Sequence, residues 1–322
     1  SACLVGSEMC IRDRDHIVII VSGAFGNRFK QIAETYYKNI HVYDVSWGEA
    51  VNVNSFLDFL KSLNVKVTAI FTQFCETSTG VLHPIHVLGQ EIKSYDSDIY
   101  FIVDGVSCIG AVDVDLVKDH IDVLVLGSQK AIMLPPGLAF VAYSTRAKSR
   151  FKEVTTPRFY LDLNKYIDSS TKHSTPFTPN VSLFRGVNAY VDLVKHEGLN
   201  HVIQRHYIIR DALRHALKAL DLDVLVKKDE VASPTVTAFI PNSKDELTII
   251  KNQLKSRFNI TIAGGQGHLK GEILRIGHMG KVSPFDILSV VSALELILTE
   301  YRNSNYIGTG VSKFMEVIQH ES

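Results

Sequence analysis

The chain has 322 residues, 46% hydrophobic and 21% charged, with 34 Lys+Arg balancing 34 Asp+Glu. This is ordinary globular composition, long enough for two domains, and a net charge of zero argues against a nucleic-acid or anionic-membrane partner. No apolar run reaches the roughly 18 residues of a membrane span. Cys3, Cys10, Cys75 and Cys108 lack the close pairing of a zinc site or disulfide framework, as expected in a reducing compartment such as the cytoplasm.

Residues 1–15 have neither the apolar region of a signal peptide nor an amphipathic pattern. Leu4 to Arg14 resembles the translation of a sequencing-library adaptor, which makes 1–15 an expected non-native tail and His16 the expected start of native sequence. From there short apolar runs alternate with helical spacing. His16–Gly23, Ile40–Val45, Val67–Thr72, Asp98–Asp104 and Asp122–Gly127 read as strands. Helices are predicted over Phe25–Tyr37, Ser55–Leu63 and Ile85–Tyr95, with a short one near Leu116–His120. This order means βαβ crossovers and a mostly parallel sheet. Ala139–Ser144 follows with no helix before it and is expected to return antiparallel.

A Pro-punctuated polar loop, 145–178, leads to a long helix with Ile209, Leu213, Ala216, Leu217 and Leu220 on one face. Beyond it, an alternating strand within Pro234–Pro241 precedes a helix opened by the capping-box pattern Ser243–Glu246. Strands at Ile260–Ala263 and Ile273–Ile276 follow, then a last helix from Ser283 with Pro284 at its favoured first position. That is a small α+β domain. Gly264-Gly-Gln-Gly267 lacks the Gly-Lys-Ser/Thr of a phosphate loop and reads as a turn.

The expected strand ends hold residues suited to a pyridine-type cofactor. Lys130 follows the strand 122–127, where a lysine amine can be desolvated and form a Schiff base. Asp104 closes another strand, and a carboxylate there needs a cation or a donor such as a pyridinium N–H. Phe25 offers a stacking face, and the hydroxyls of Thr77, Ser78 and Thr79 offer donors. Arg275, in an apolar strand, suits a carboxylate bidentately. Each also has a plainer use: Lys130 on the surface, Asp104 as a helix cap, Phe25 in the core and Arg275 in an internal ion pair.

Taken together, Asp104-Gly-Val-Ser-Cys-Ile-Gly110, Gly127-Ser-Gln-Lys130, Pro135-Pro-Gly-Leu138, Thr178-Pro-Asn-Val181 and Arg275-Ile-Gly-His-Met-Gly280 resemble the class V aminotransferases that depend on pyridoxal phosphate. The alanine–glyoxylate and serine–glyoxylate (serine–pyruvate) branch is the most similar. The resemblance implies a fold-type I α/β transferase with a seven-stranded sheet in a large domain, and a homodimer. The implied division is a large cofactor domain over 16–198, a small domain over 199–302 and a tail over 303–322. Lys130 matches the Schiff-base lysine and Asp104 the partner of the pyridine nitrogen. Phe25 and Val106 would flank the ring, Thr77 would lie near its phenolate oxygen, and Gln129 and, from the neighbouring subunit, Thr178 would meet the phosphate. Arg275 would hold the substrate carboxylate.

The implied reaction moves an amino group from a small L-amino acid, alanine or serine, to glyoxylate or pyruvate. A cysteine desulfurase or lyase on the same fold is the alternative enzyme, and a fragment unable to retain cofactor the non-catalytic one. The family's Gly-Ser-Gly-Thr-Gly-like turn is missing ahead of His16. Apolar surface along His16–Val21 and Val123–Leu126 is therefore expected to lie exposed.

Overall fold

The computed structural model describes residues 8–321; Cys3 and the first four residues of the adaptor-like stretch, 4–7, lie outside them. The chain divides into two compact units. One comprises the chain up to Glu76 with His83–Ile109 and Asp113–Leu193; the other comprises Thr77–Leu82, Gly110–Val112 and the chain from Val194.

The first unit is built on a six-stranded sheet formed by β1 (His16–Val21), β2 (Ile40–Asp44), β3 (Val67–Gln73), β4 (Tyr100–Asp104), β5 (Val123–Gly127) and β6 (Ala139–Tyr143). Its order is β2-β1-β3-β4-β5-β6. All neighbours are parallel except β5 and β6, which run antiparallel from Val123↔Tyr143 to Gly127↔Ala139, as the missing crossover helix requires. The resemblance implied seven strands, and the described residues form six. Between the strands run α1 (Ala24–Tyr36), α2 (Val53–Ser62) and α3 (Ile85–Tyr95). The helix expected near Leu116–His120 is instead a turn, because the Asp119 carboxylate accepts the Asp115 N–H and Ile121 N–H reaches back to Leu116 O. Then come α4 (Thr145–Glu153), α5 (Leu163–Ser170) and α6 (Val181–Glu197).

Of the stretches expected to lie exposed, His16 and Leu126 are partly buried and the rest is buried. Ile17–Val21 and Val123–Val125 are at most 5% accessible. One sheet face is covered by Phe29 and Ala33 of α1, Ala147 and Phe151 of α4, and Met9, Cys10 and Ile11. The last three are anchored by Arg150, which donates to Cys10 O (3.0 Å) and pairs with Asp15 (2.8 Å). Buried apolar surface stabilises by about 25 cal/mol per Å², so the uncovered face draws in these side chains. Alternate residues Val18, Ile20, Ile70, Phe101 and Val103 are buried on the other face. Gly89 lets α3 sit against the 115–121 turn, since a Cβ built on it would lie 1.9 Å from Asp119 O.

The second unit has an antiparallel sheet of β7 (Asp223–Val224), β8 (Val236–Ile240), β9 (Ala263–Gly264) and β10 (Leu274–Gly277), in the order β9-β10-β8-β7. Its core joins Ile209, Leu213 and Leu217 of α7 (Leu199–Ala219) to Ile250 and Leu254 of α8 (Lys244–Phe258) and Leu294 and Ile297 of α9 (Pro284–Arg302). A further helix, α10 (Thr309–Glu321), packs along α7 and buries Phe314 completely. Ser283 and Asp286 form a reciprocal capping box on α9. The Ser243 pattern is realised by half: Ser243 Oγ accepts Glu246 N–H, but Glu246 turns to Asn242 N–H and the Arg302 guanidinium.

Candidate active site

In an open α/β sheet, ligands sit beyond the carboxyl ends of the strands where the strand order reverses. Here that reversal lies between β1 and β3, since the chain leaves β1 towards β2 on one side and β3 forms the other neighbour. From β1 the chain enters α1 through Ser22 and Gly23. From β3 it continues to Glu76.

Gly23, the N-cap of α1, makes no side-chain cap, so the helix draws its acceptor from elsewhere. Glu76, fully buried, fills the role: its Oε2 accepts Phe25 N–H (3.1 Å) and Gly26 N–H (2.9 Å), and its Oε1 accepts Phe25 N–H at 3.3 Å. A carboxylate suits a helix N-terminus electrostatically. Phe25 thus stands in the first turn of α1, partly buried, with the Arg28 guanidinium 5.2 Å from its ring centre. Gly26 lets the helix close on β1, since a Cβ there would lie 2.9 Å from Val21 Cα and 3.0 Å from Ile20 O.

Asp104 closes β4, paired in register with Gln73 of β3 and Val125 of β5. Its Oδ1 accepts Val106 N–H at 2.9 Å, while Oδ2 has no hydrogen-bond partner among the described residues. Burial raises this carboxyl to about 6, with nearby Glu76 adding to the rise and the Val106 N–H and Lys130 opposing it. Val106 and Gln129 both lie over Gly127: a Cβ on that glycine would meet Gln129 Oε1 at 2.9 Å and Val106 Cγ1 at 3.3 Å.

Lys130 follows β5 in a loop pinned by Ser128, a residue to which the sequence reading gave no role. Ser128 Oγ donates to Pro135 O (2.8 Å) and accepts Leu138 N–H (3.2 Å), and Ser128 O accepts Leu134 N–H (2.9 Å). Lys130 O accepts Met133 N–H (2.8 Å), and Met133 takes φ 62°. Thr178 lies exposed ahead of α6, whose first turn is capped by Asn180 Oδ1 accepting Leu183 N–H at 3.2 Å. The geometry thus joins Asp104 to Val106 and brings Val106 and Gln129 together over Gly127, with Lys130 next in the chain, and it joins Phe25 to Glu76; Thr178 makes no described contact with this group.

In the second unit Arg275, 7% accessible, lies on β10 between Ala238 and Ala263. Its Nε donates to Gly264 O (2.9 Å) and Nη1 to Thr77 O (2.8 Å), so carbonyls orient the guanidinium. Thr77 is itself buried. His278 is buried and bonded to Thr237 Oγ1 (2.9 Å), and burial lowers its pKa to about 3.

His83 was also given no role by the sequence reading. Its Nδ1 accepts Val51 N–H (3.1 Å), which leaves the proton on Nε2 to be donated to Ser22 Oγ (2.7 Å). Burial lowers its pKa to about 4, so a neutral imidazole braces the end of β1. Glu76 had a legible signal, a carboxylate in an otherwise uncharged turn after an apolar strand. Its partner did not, because Phe25 and Gly26 lie 51 and 50 residues away.

The model of the aminotransferase class-V family matches residues 2–282. The chain is 40% identical to the soluble hydrogenase small subunit of Synechococcus sp. over 94% of this chain and 79% of that protein. It is 31% identical to the serine–glyoxylate aminotransferase of Arabidopsis thaliana, over 95% and 77% respectively. The crystal structure of pyridoxamine–pyruvate aminotransferase from Mesorhizobium loti superposes with a TM-score of 0.92 at 27% identity, covering 99% of this chain and 82% of that one. The chain belongs to the class V aminotransferases and has their α/β fold.

Proposed function

We propose that this protein is a pyridoxal-phosphate-dependent transaminase that carries an amino group from a small L-amino acid, alanine or serine, to glyoxylate or pyruvate. The observation that supports it most is Asp104: a carboxylate at the sheet's carboxyl edge, raised to about 6, with one oxygen that accepts no hydrogen bond among the described residues. A carboxylate partly withdrawn from water is stabilised by a cationic donor, and a protonated pyridine nitrogen is one, so the residues fit the cofactor. When bound, that cofactor supplies an electron sink for the bond broken at the donor's Cα.

In this reading Asp104 keeps the ring nitrogen protonated, and Phe25 and Val106 hold the ring's two faces. Lys130 provides the anchoring amine and then acts as base and acid at the donor's Cα. Thr77 would donate to the phenolate oxygen and Gln129 to the phosphate. Thr178 would reach the phosphate of a neighbouring subunit, making the working unit a homodimer. Arg275 would hold the donor's carboxylate, its fork already oriented by two carbonyls. The Arabidopsis relative's name supports glyoxylate as acceptor.

The desulfurase reading needs an accessible thiolate. Among the described residues the cysteines, Cys10, Cys75 and Cys108, are all buried, with burial raising the Cys10 thiol to about 12 and Cys108 well above its usual value. Transamination is favoured accordingly. The test is to add pyridoxal phosphate, reduce with borohydride and map the modified lysine by mass spectrometry, then measure amino transfer from alanine and serine. Modification at Lys130 with transfer is expected. Modification spread over surface lysines, or cysteine desulfuration in place of transfer, would refute the assignment.

A further inference from the structure

We propose that Glu76 is a positioning residue for the cofactor ring: its carboxylate fixes the first turn of α1, which carries Phe25. This rests on the pyridoxal-phosphate reading above and extends it to a residue with no assigned part.

Glu76 lies where the strand order reverses, on the chain that leaves β3, and it is fully buried. Its Oε2 gathers the N–H groups of Phe25 and Gly26, which a helix of 13 residues with a glycine N-cap leaves without a local acceptor. The position of Phe25 therefore depends on a residue 51 positions away. The same negative charge raises the proton affinity of Asp104, against the pull of Lys130. A more basic Asp104 is a better acceptor for a protonated ring nitrogen. A neutral side chain at position 76 would hold the helix without this second effect.

That difference makes the two effects separable. Because one oxygen accepts both N–H groups, Glu76→Gln retains the acceptor and removes the charge, whereas Glu76→Ala removes both. Three cofactor-free proteins, the parent and these variants, are compared by amide hydrogen exchange at Phe25 and Gly26 and by carbon-13 NMR titration of Asp104. In Glu76→Ala both amides should exchange at least about tenfold faster, because each loses a hydrogen bond to a charged acceptor. In Glu76→Gln the amides should stay protected while Asp104 falls in proton affinity. After reconstitution, Glu76→Ala should lower kcat more than Glu76→Gln does, with KM for the donor unchanged.

Amides in Glu76→Ala that exchange as in the parent would overturn the proposal. So would an unchanged kcat in Glu76→Ala when the parent is active. If Glu76→Ala fails to fold, Glu76→Asp, which keeps the charge but draws the acceptor back by one methylene, is read at the same two amides, and parent-like exchange there overturns the proposal. Failure of the parent to form a borohydride-fixed Lys130 adduct would instead refute the cofactor reading, and the cofactor-free measurements would still report on Glu76.

Discussion

Gly26→Ala tests the junction on which the site is built. The added Cβ would lie 2.9 Å from Val21 Cα and 3.0 Å from Ile20 O, both backbone atoms of β1, and 2.9 Å from Gln73 Oε1. Ordinary contacts begin at 3.4 Å, and β1 is hydrogen-bonded on both sides by β2 and β3, so the strand has no room to yield. The helix must move out instead, loosening Phe29 from Phe71, whose rings meet edge-on at 6.3 Å. Against this, replacing Gly by Ala in a helix contributes up to about 1 kcal/mol, while overpacking costs about 1–3 kcal/mol. The expected net loss is about 1–2 kcal/mol, or roughly 2–8 °C in Tm at about 2–4 °C per kcal/mol. Urea denaturation would measure it, with Gly277→Ala as control because a Cβ there meets nothing within 4 Å. If Gly26→Ala is as stable as the control, the close approach of α1 to β1 is not what this structure makes it.

Lys130→Ala should abolish the borohydride-fixed adduct; an undiminished adduct at another residue, with transfer intact, would remove Lys130 from the mechanism. Asp104→Asn should retain much of the cofactor affinity but slow amino transfer by about 100-fold or more, because a neutral pyridine is a poor electron sink; parent-like turnover would mean another partner for the ring nitrogen. Arg275→Ala should weaken donor binding by about 10–100-fold, the range of a charge-assisted hydrogen bond, and leave cofactor affinity unchanged. Acid should destabilise the fold as pH falls from about 6.5 towards 4 and 3, the lowered values of His83 and His278. Both are held neutral when folded, so the unfolded chain takes up more protons in that window. Asp104 opposes them, since its raised carboxyl gains a proton in the folded state below about 6. The window should therefore flatten when both histidines are replaced by Gln, and an unchanged urea midpoint between pH 7 and pH 4.5 in the parent would contradict it.

The alternation of apolar runs with helical spacing determined the parallel sheet, its antiparallel last strand and the α+β character of the second unit. These depend on local periodicity and on whether a crossover helix separates two strands, both written along the chain. Lys130 at the end of β5 and Asp104 at the end of β4 were legible for the same reason, since a polar residue closing an apolar run marks its place in the sheet. Tertiary structure decided what depends on contacts between distant residues. Glu76 caps α1 across 50 residues, His83 joins Ser22 to Val51, and Ser128 ties both arms of the Lys130 loop. Burial of the sheet face by Met9, Cys10 and Ile11 belongs here too: the pattern of β1 says that this face must be covered, but which side chains cover it is settled only by packing.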